Sequence, residues 1–202
     1  GDELGMGDNY HLGDRDGVRT PMQWNADQNA GFSEANPQSL HLPVIHDPEY
    51  HYVSTNVEAQ EGRPSSLLNW LKRLIAVRRE HPAFGRGELE FLETGNHRVV
   101  AYRRRFDGGS GENAEDGEEE RPDVVVAVMN LSRTAQHATL KLPDYSGWWP
   151  VEMVGQTRFP RLDGEGWSLT LSSYGFHWFS LSAQPPDLDD VIHRSGPSRR
   201  PL

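Results

Sequence analysis

Cysteine is absent from the sequence. Disulfides and thiolate metal sites are thereby excluded, and stability has to come from burial. Long apolar runs are absent too. No stretch approaches the roughly 20 apolar residues that cross a bilayer. Residues 1–10 carry neither the basic nor the apolar block of a secretory signal. The expected setting is cytoplasmic and away from membranes. Positive charge is in deficit, with 20 Lys and Arg against 30 Asp and Glu, a formal net charge of −10. A general nucleic-acid surface is excluded by that balance, since such a surface sets basic side chains against phosphates. Much of the negative excess falls in residues 112–120, so the rest of the chain is nearer neutral.

The 202 residues suffice for one substantial domain and a smaller piece. Gly1 and Asp2 stand where an initiating methionine would, so the chain is expected to be a fragment or a processed product. Residues 1–63 are rich in Gly, Pro, Asn and Asp and show no sustained period, which reads as loop. Met22, Trp24, Phe32, Leu40, Leu42, Val44 and Ile45 are too apolar for a solvated linker. An ordered loop packed on something else is expected. Residues 65–81 predict a helix, because Leu67, Leu68, Leu71, Leu74, Ile75 and Val77 recur at helical spacing. Ser65 or Ser66 can cap its first turn, and Arg78 and Arg79 suit its last.

After Gly87 the apolar period becomes two. Strands are expected at 88–93, 98–106, 124–131, 137–142, 149–154 and 167–181, the last broken near Ser173. Short strands between turn signals predict an antiparallel sandwich. In the final strand Phe176 and Trp178 share one face while Phe179 and Leu181 share the other, so it is expected to be central. Residues 107–122, Gly- and Glu-rich, read as an expanded hairpin loop, and residues from 183 onward as a disordered tail.

The chemistry-bearing stretch is residues 1–24, GDELGMGDNYHLGDRDGVRTPMQW. It sets Asp14, Arg15, Asp16 and Arg19 beside Met22, Gln23 and Trp24. Guanidinium forks and carboxylates can each hold adjacent sugar hydroxyls by paired hydrogen bonds. Composition alone favours a structural loop with surface ion pairs and a core tryptophan. The string GDELGMGDN, however, resembles the segment leaving the eighth barrel strand in the α-amylase superfamily, glycoside hydrolase family thirteen. RDGVRTPMQW resembles the loop that follows it in the α-glucosidase, sucrose isomerase and trehalose synthase branches. The short GDE-to-RD connection, the continuation to NVEAQ, and HPAFGRGELEFL, VMNLSR and GFHWFSL further on are similar to the trehalose synthase branch.

This resemblance implies an α+β chain. Residues 1–82 would be the end of a (β/α)8 barrel, a long loop plus the last helix. Residues 83–182 would be the all-β antiparallel sandwich, with a tail at 183–202. It also implies a retaining glucosyl transfer between two carboxyl groups that interconverts maltose and trehalose. In the family those carboxyl groups sit ahead of GDELGM, so no catalytic residue is assigned here. Arg15 matches an arginine of the glucosyl subsite that pairs with an aspartate elsewhere in the barrel. Asp16 is read as orienting that arginine or the loop, Arg19 as bracing the loop with a substrate contact left open, and Met22 and Trp24 as packing. No metal ligand and no cofactor are assigned to this chain: Asp14-x-Asp16-Gly17 lacks the remaining oxygen ligands of a calcium loop. Any calcium site would belong to earlier segments. Association with a maltokinase is left open. Two alternatives stand beside this reading. One is a hydrolytic α-glucosidase or sucrose isomerase, and the other a stand-alone carbohydrate-binding sandwich using Trp148, Trp149, Trp167 and Trp178.

Overall fold

A computed structural model describes residues 1–108 and 122–185. Most of the acidic segment expected at 107–122, and most of the tail expected from 183, lie outside the described residues. The chain divides into two compact units, Gly1–Ala76 and Val77 onward.

The first unit consists largely of turns, with 3-10 turns at Asp2–Leu4, Asp16–Val18, Gln28–Gly31 and Pro37–Ser39. Leu4, Ala30, Val44, Ile45, Leu68 and Leu74 are its buried apolar residues. A short helix, α1 (Val57–Glu61), lies in the stretch that reads as loop. So short a segment cannot display a helical apolar repeat, and its cap defines it instead. Asn56 Oδ1 accepts the Ala59 amide N–H at 2.7 Å, while Asn56 Nδ2 donates to the Tyr52 carbonyl at 2.7 Å. The helix expected at 65–81 is α2 (Leu67–Glu80). Ser66 is its cap, with Oγ accepting from the Asn69 amide at 3.3 Å. Leu68 and Leu74 turn inward and Ile75 is exposed.

The second unit begins with the end of α2 and a single helical turn, α3 (Ala83–Arg86). Among the described residues eight strands follow: β1 (Glu88–Leu92), β2 (Val99–Phe106), β3 (Asp123–Asn130), β4 (Gln136–Leu140), β5 (Trp149–Glu152), β6 (Thr157–Arg158), β7 (Trp167–Leu171) and β8 (Phe176–Ser182). They form a six-stranded sheet in the order β1-β2-β3-β8-β5-β6 and a two-stranded sheet β4-β7. All pairings are antiparallel. The expected strand 167–181 is β7 and β8, separated at residues 172–175. β6 and α3 are too short to have shown a period.

The core lies between the two sheets. Val99, Ala101, Val124, Val126, Val128, Phe179 and Leu181 of the larger sheet meet Ala138, Leu140, Leu169 and Leu171 of the smaller one. The opposite face of the larger sheet is covered by α3, where Ala83 and Phe84 pack with Val125, Met153 and Trp178. Strand β3 is therefore apolar on both faces, as a central strand must be. β8 lies between β3 and β5 and divides its aromatics in the same way.

Where β3 leaves the sheet, Asn130 is 2% exposed and fully engaged. Its Nδ2 donates to the Thr134 carbonyl at 2.8 Å and the Ser172 carbonyl at 2.7 Å. Its Oδ1 accepts from the Ser132 amide at 2.9 Å and the Ser132 hydroxyl at 2.8 Å. One side chain thus ties the β3–β4 turn to the β7–β8 turn.

Candidate functional site

The arginine-bearing turn is shaped by two backbone requirements. Asp14 sits in the left-handed region at φ 53°, which Asp tolerates because its short side chain can bond locally. The 3-10 turn Asp16–Val18 follows, with the Val18 amide donating to Arg15 at 3.3 Å and the Arg19 amide to Asp16 at 3.0 Å. Gly17 is buried, and its carbonyl accepts the Asn9 amide N–H at 3.1 Å. A Cβ at residue 17 would lie 2.6 Å from the Asn9 carbonyl oxygen, so only glycine allows this approach.

The turn brings Arg15, Asp16 and Arg19 together at the surface, and of the two places left open for Asp16 it takes the one within the loop, beside Arg19. Asp16 Oδ1 lies 3.8 Å from Arg19 Nη1, and the two side chains are 48% and 60% exposed. Such a pair contributes at most about 1 kcal/mol. Arg15 is exposed and its guanidinium makes no hydrogen bond or ion pair among the described residues. Its planar fork of five donors is free to take a carboxylate or adjacent hydroxyls. Tyr10 is 75% exposed beside the turn in sequence, its ring centroid 4.1 Å from that of His11.

The segment after the turn alternates. Pro21 and Gln23 are buried, Met22 is partly buried, and Trp24 is 50% exposed. Trp24, read from the sequence as packing, is half exposed, and the residue that goes inside is Gln23 at 0%. In an extended segment successive side chains point to opposite sides, which separates the two. Gln23 Nε2 donates to the Tyr50 carbonyl at 3.1 Å and to the Thr55 carbonyl. Its backbone carbonyl accepts the Val57 amide, and that of Trp24 accepts the Glu58 amide, both at 3.0 Å. Gln23 thus holds the start of α1 and the segment from Tyr50 to Thr55 that leads to it.

A second glutamine completes the frame. Gln60 Nε2 donates to the Leu4 carbonyl at 2.7 Å, and Gln60 Oε1 accepts the Leu68 amide at 3.0 Å. It joins the GDELGM segment to the first turn of α2. Gln23 was noted in the sequence without a role, and Gln60 did not stand out. The available signal was an amide side chain placed inside otherwise apolar or helical surroundings.

The four tryptophans considered as a sugar platform do not form one. All are partly buried. Trp148 and Trp167 pack against the core between the sheets, whereas Trp178 packs on the other face, 4.8 Å from the Phe84 ring. Among the described residues no group of three or more His, Asp or Glu is placed to hold a metal ion. No described helix is long and apolar enough to cross a membrane.

Two family descriptions divide the chain between them. Residues 2–87 match the α-amylase catalytic domain, and residues 89–178 match the maltogenic amylase C-terminal domain. The chain belongs to the α-amylase family. Its first part corresponds to the end of the family's catalytic domain and its second to the C-terminal β domain. Trehalose synthase of Pimelobacter sp. is 50% identical over 182 residues, which is 90% of this chain and 30% of that protein. The trehalose synthase/amylase TreS of Mycobacterium tuberculosis is 47% identical over 182 residues, 90% of this chain and 28% of that one. Trehalose synthase of Thermus thermophilus is 43% identical over 198 residues, 98% of this chain and 19% of the relative. The chain thus spans at most about 30% of the length of these family members. Among solved structures, the trehalulose synthase MutB of Pseudomonas mesoacidophila is 25% identical at a TM-score of 0.55, covering 83% of this chain and 26% of that one. The trehalose-6-phosphate hydrolase of Bacillus licheniformis shares the fold at 23% identity and a TM-score of 0.56, with coverage of 83% and 26%.

Proposed function

We propose that this chain serves as the C-terminal part of a trehalose synthase that isomerises maltose to trehalose by intramolecular glucosyl transfer. The observation that carries this reading is the 50% identity to a trehalose synthase, continuous across both units. In such a reaction a carboxylate attacks the anomeric carbon of maltose while a second carboxyl group protonates the departing glucose. The glucosyl unit is then returned to the anomeric hydroxyl of the retained glucose, giving an α,α-1,1 bond. The carboxyl groups that do this belong to segments outside this chain, and the chain by itself is inactive.

Its own contribution is at the glucosyl subsite. Arg15 presents an unpaired guanidinium fork to the sugar, or to a carboxylate that holds it. Asp16 and Arg19 brace the turn against each other, and their exposure leaves both able to meet substrate. Calcium, where the enzyme uses it, is bound in the other segments, and a maltokinase partner is left to experiment.

The test is product analysis. The full-length enzyme containing this chain is incubated with maltose and the products are separated by chromatography. Trehalose as main product supports the reading. Glucose alone would assign the chain to a hydrolytic α-glucosidase of the same family. Turnover of maltose by the 202-residue chain alone would show that the carboxyl groups are among its own residues.

A further inference from the structure

The Arg15–Arg19 turn hangs between two points. At one, the Asn9 amide holds the Gly17 carbonyl at 3.1 Å. At the other, the chain enters Pro21 and Gln23, the latter completely buried. Both points return to the same short segment. The ring of Tyr50 lies against Gly7, where a Cβ would collide with it, and Tyr50 gives its carbonyl to Gln23 Nε2 at 3.1 Å. Gly7, Asp8 and Asn9 therefore support the turn directly through Gly17 and indirectly through Tyr50 and Gln23.

Gln23 is the member of this ring that can be altered without touching the exposed face of the turn. Both Nε2 protons are used, on Tyr50 and Thr55, and both carbonyl acceptors come from a segment 27 and 32 residues away. Its Oε1 is buried and has no hydrogen-bond partner among the described residues. A side chain chosen for packing would not carry a buried, unused acceptor, because that acceptor costs stability. The amide is there for its two donors.

We infer that Gln23 is a positioning residue for the glucosyl subsite: its amide clamps the 50–55 segment and thereby sets where the turn presents Arg15. This inference rests on the proposed role of Arg15. Gln23 itself touches no substrate. Misplacing a binding group by about 1 Å can cost on the order of 100-fold in rate, so a clamp beneath the turn is enough to govern turnover.

The test uses Gln23→Met and Gln23→Glu in the full-length enzyme. Methionine keeps the length and loses both donors. Glutamate keeps the shape but places an acceptor-only carboxylate against two carbonyls. The expected result is a fall in kcat/KM on maltose of about 10- to 100-fold for Gln23→Met and a larger one for Gln23→Glu. Because a protonated carboxyl regains one donor, the Gln23→Glu enzyme should recover activity, relative to wild type, as the pH is lowered. In a double-mutant cycle, Arg15→Lys should cost less in the Gln23→Met background than in wild type, since the turn is already misplaced. If Gln23→Glu does not fold, Gln23→Met and its cycle decide. Three outcomes overturn the inference: a Gln23→Met enzyme within about twofold of wild type in kcat/KM, a cycle in which the two losses simply multiply, or an Arg15→Lys enzyme as active as wild type. All are read on maltose consumption, so a wild-type enzyme that yields glucose instead of trehalose would refute the proposed reaction and leave this test intact.

Discussion

Nδ1 of His81 lies 2.8 Å from Oδ1 of Asp123, and the second oxygen of that carboxylate accepts the Ala83 amide N–H at 2.8 Å. The first residue of β3 is thereby clamped to the start of α3. Burial pushes the Asp123 carboxyl upward, but the hydrogen bonds from His81 and Ala83 outweigh it and hold the carboxyl below its ordinary value of 3.8. A carboxyl depressed in the folded state contributes stability above its unfolded value, and that contribution is lost as pH falls through the folded one. Asp123→Ala should cost about 1.5–3 kcal/mol at neutral pH, and the gap to wild type should narrow as pH falls below the ordinary value of 3.8 and through the lower value of the folded state. Urea denaturation of both proteins at neutral and acid pH measures it. A gap independent of pH would mean that packing, not the charged carboxylate, is what Asp123 supplies.

Asn130 should be intolerant of its nearest isostere. Asn130→Asp replaces a donor to two carbonyls, those of Thr134 and Ser172, by an acceptor. A buried charge against two carbonyl oxygens should cost about 3 kcal/mol or more. Asn130→Ala should cost less, because it leaves the carbonyls unpaired without adding charge. Equal losses for the two variants in equilibrium unfolding would show that the turn is held by its backbone alone.

The β2–β3 connection should be dispensable. Phe106 and Asp123 are Cα partners in the antiparallel ladder, so the ends of the connection are already adjacent. The composition of the intervening residues offers little to bury, and closing a loop costs only about 0.6 kcal/mol per doubling of length. Replacing residues 107–122 with a two-residue Asn-Gly turn shortens the loop by three halvings and should raise stability by no more than about 2 kcal/mol. A loss of several kcal/mol on chemical denaturation would reveal a contact made by that segment.

Arg15→Lys keeps the charge and removes the two-point fork. The loss of one charge-assisted hydrogen bond, about 1.5–3 kcal/mol, corresponds to roughly a 10- to 150-fold lower rate if it acts in the transition state. The melting temperature should hold, because Arg15 is exposed and unpaired among the described residues. Kinetics on maltose with the full-length enzyme, together with a thermal melt, read both quantities. Near-normal turnover with a lower melting temperature would make Arg15 a structural residue.

Local pattern in the sequence was enough for the elements whose own residues make them. α2 was legible from its leucines and Ser66, and the strands other than the two-residue β6 from alternation. The central place of β8 followed from apolar residues on both of its faces, since a strand covered on both sides must be apolar on both. The resemblance of residues 1–24 located the arginine turn. Tertiary structure decided what depends on distant partners. It put Gln23 inside and Trp24 half outside, gave Asp16 to Arg19 and left the Arg15 guanidinium without a partner among the described residues. It made a helix of Val57–Glu61 by an asparagine cap and a glutamine carbonyl. The carbonyls that satisfy Gln23 lie 27 and 32 residues along the chain. A hydrogen bond is set by proximity in space, and no periodicity within the RTPMQW segment encodes which backbone groups will arrive beside it.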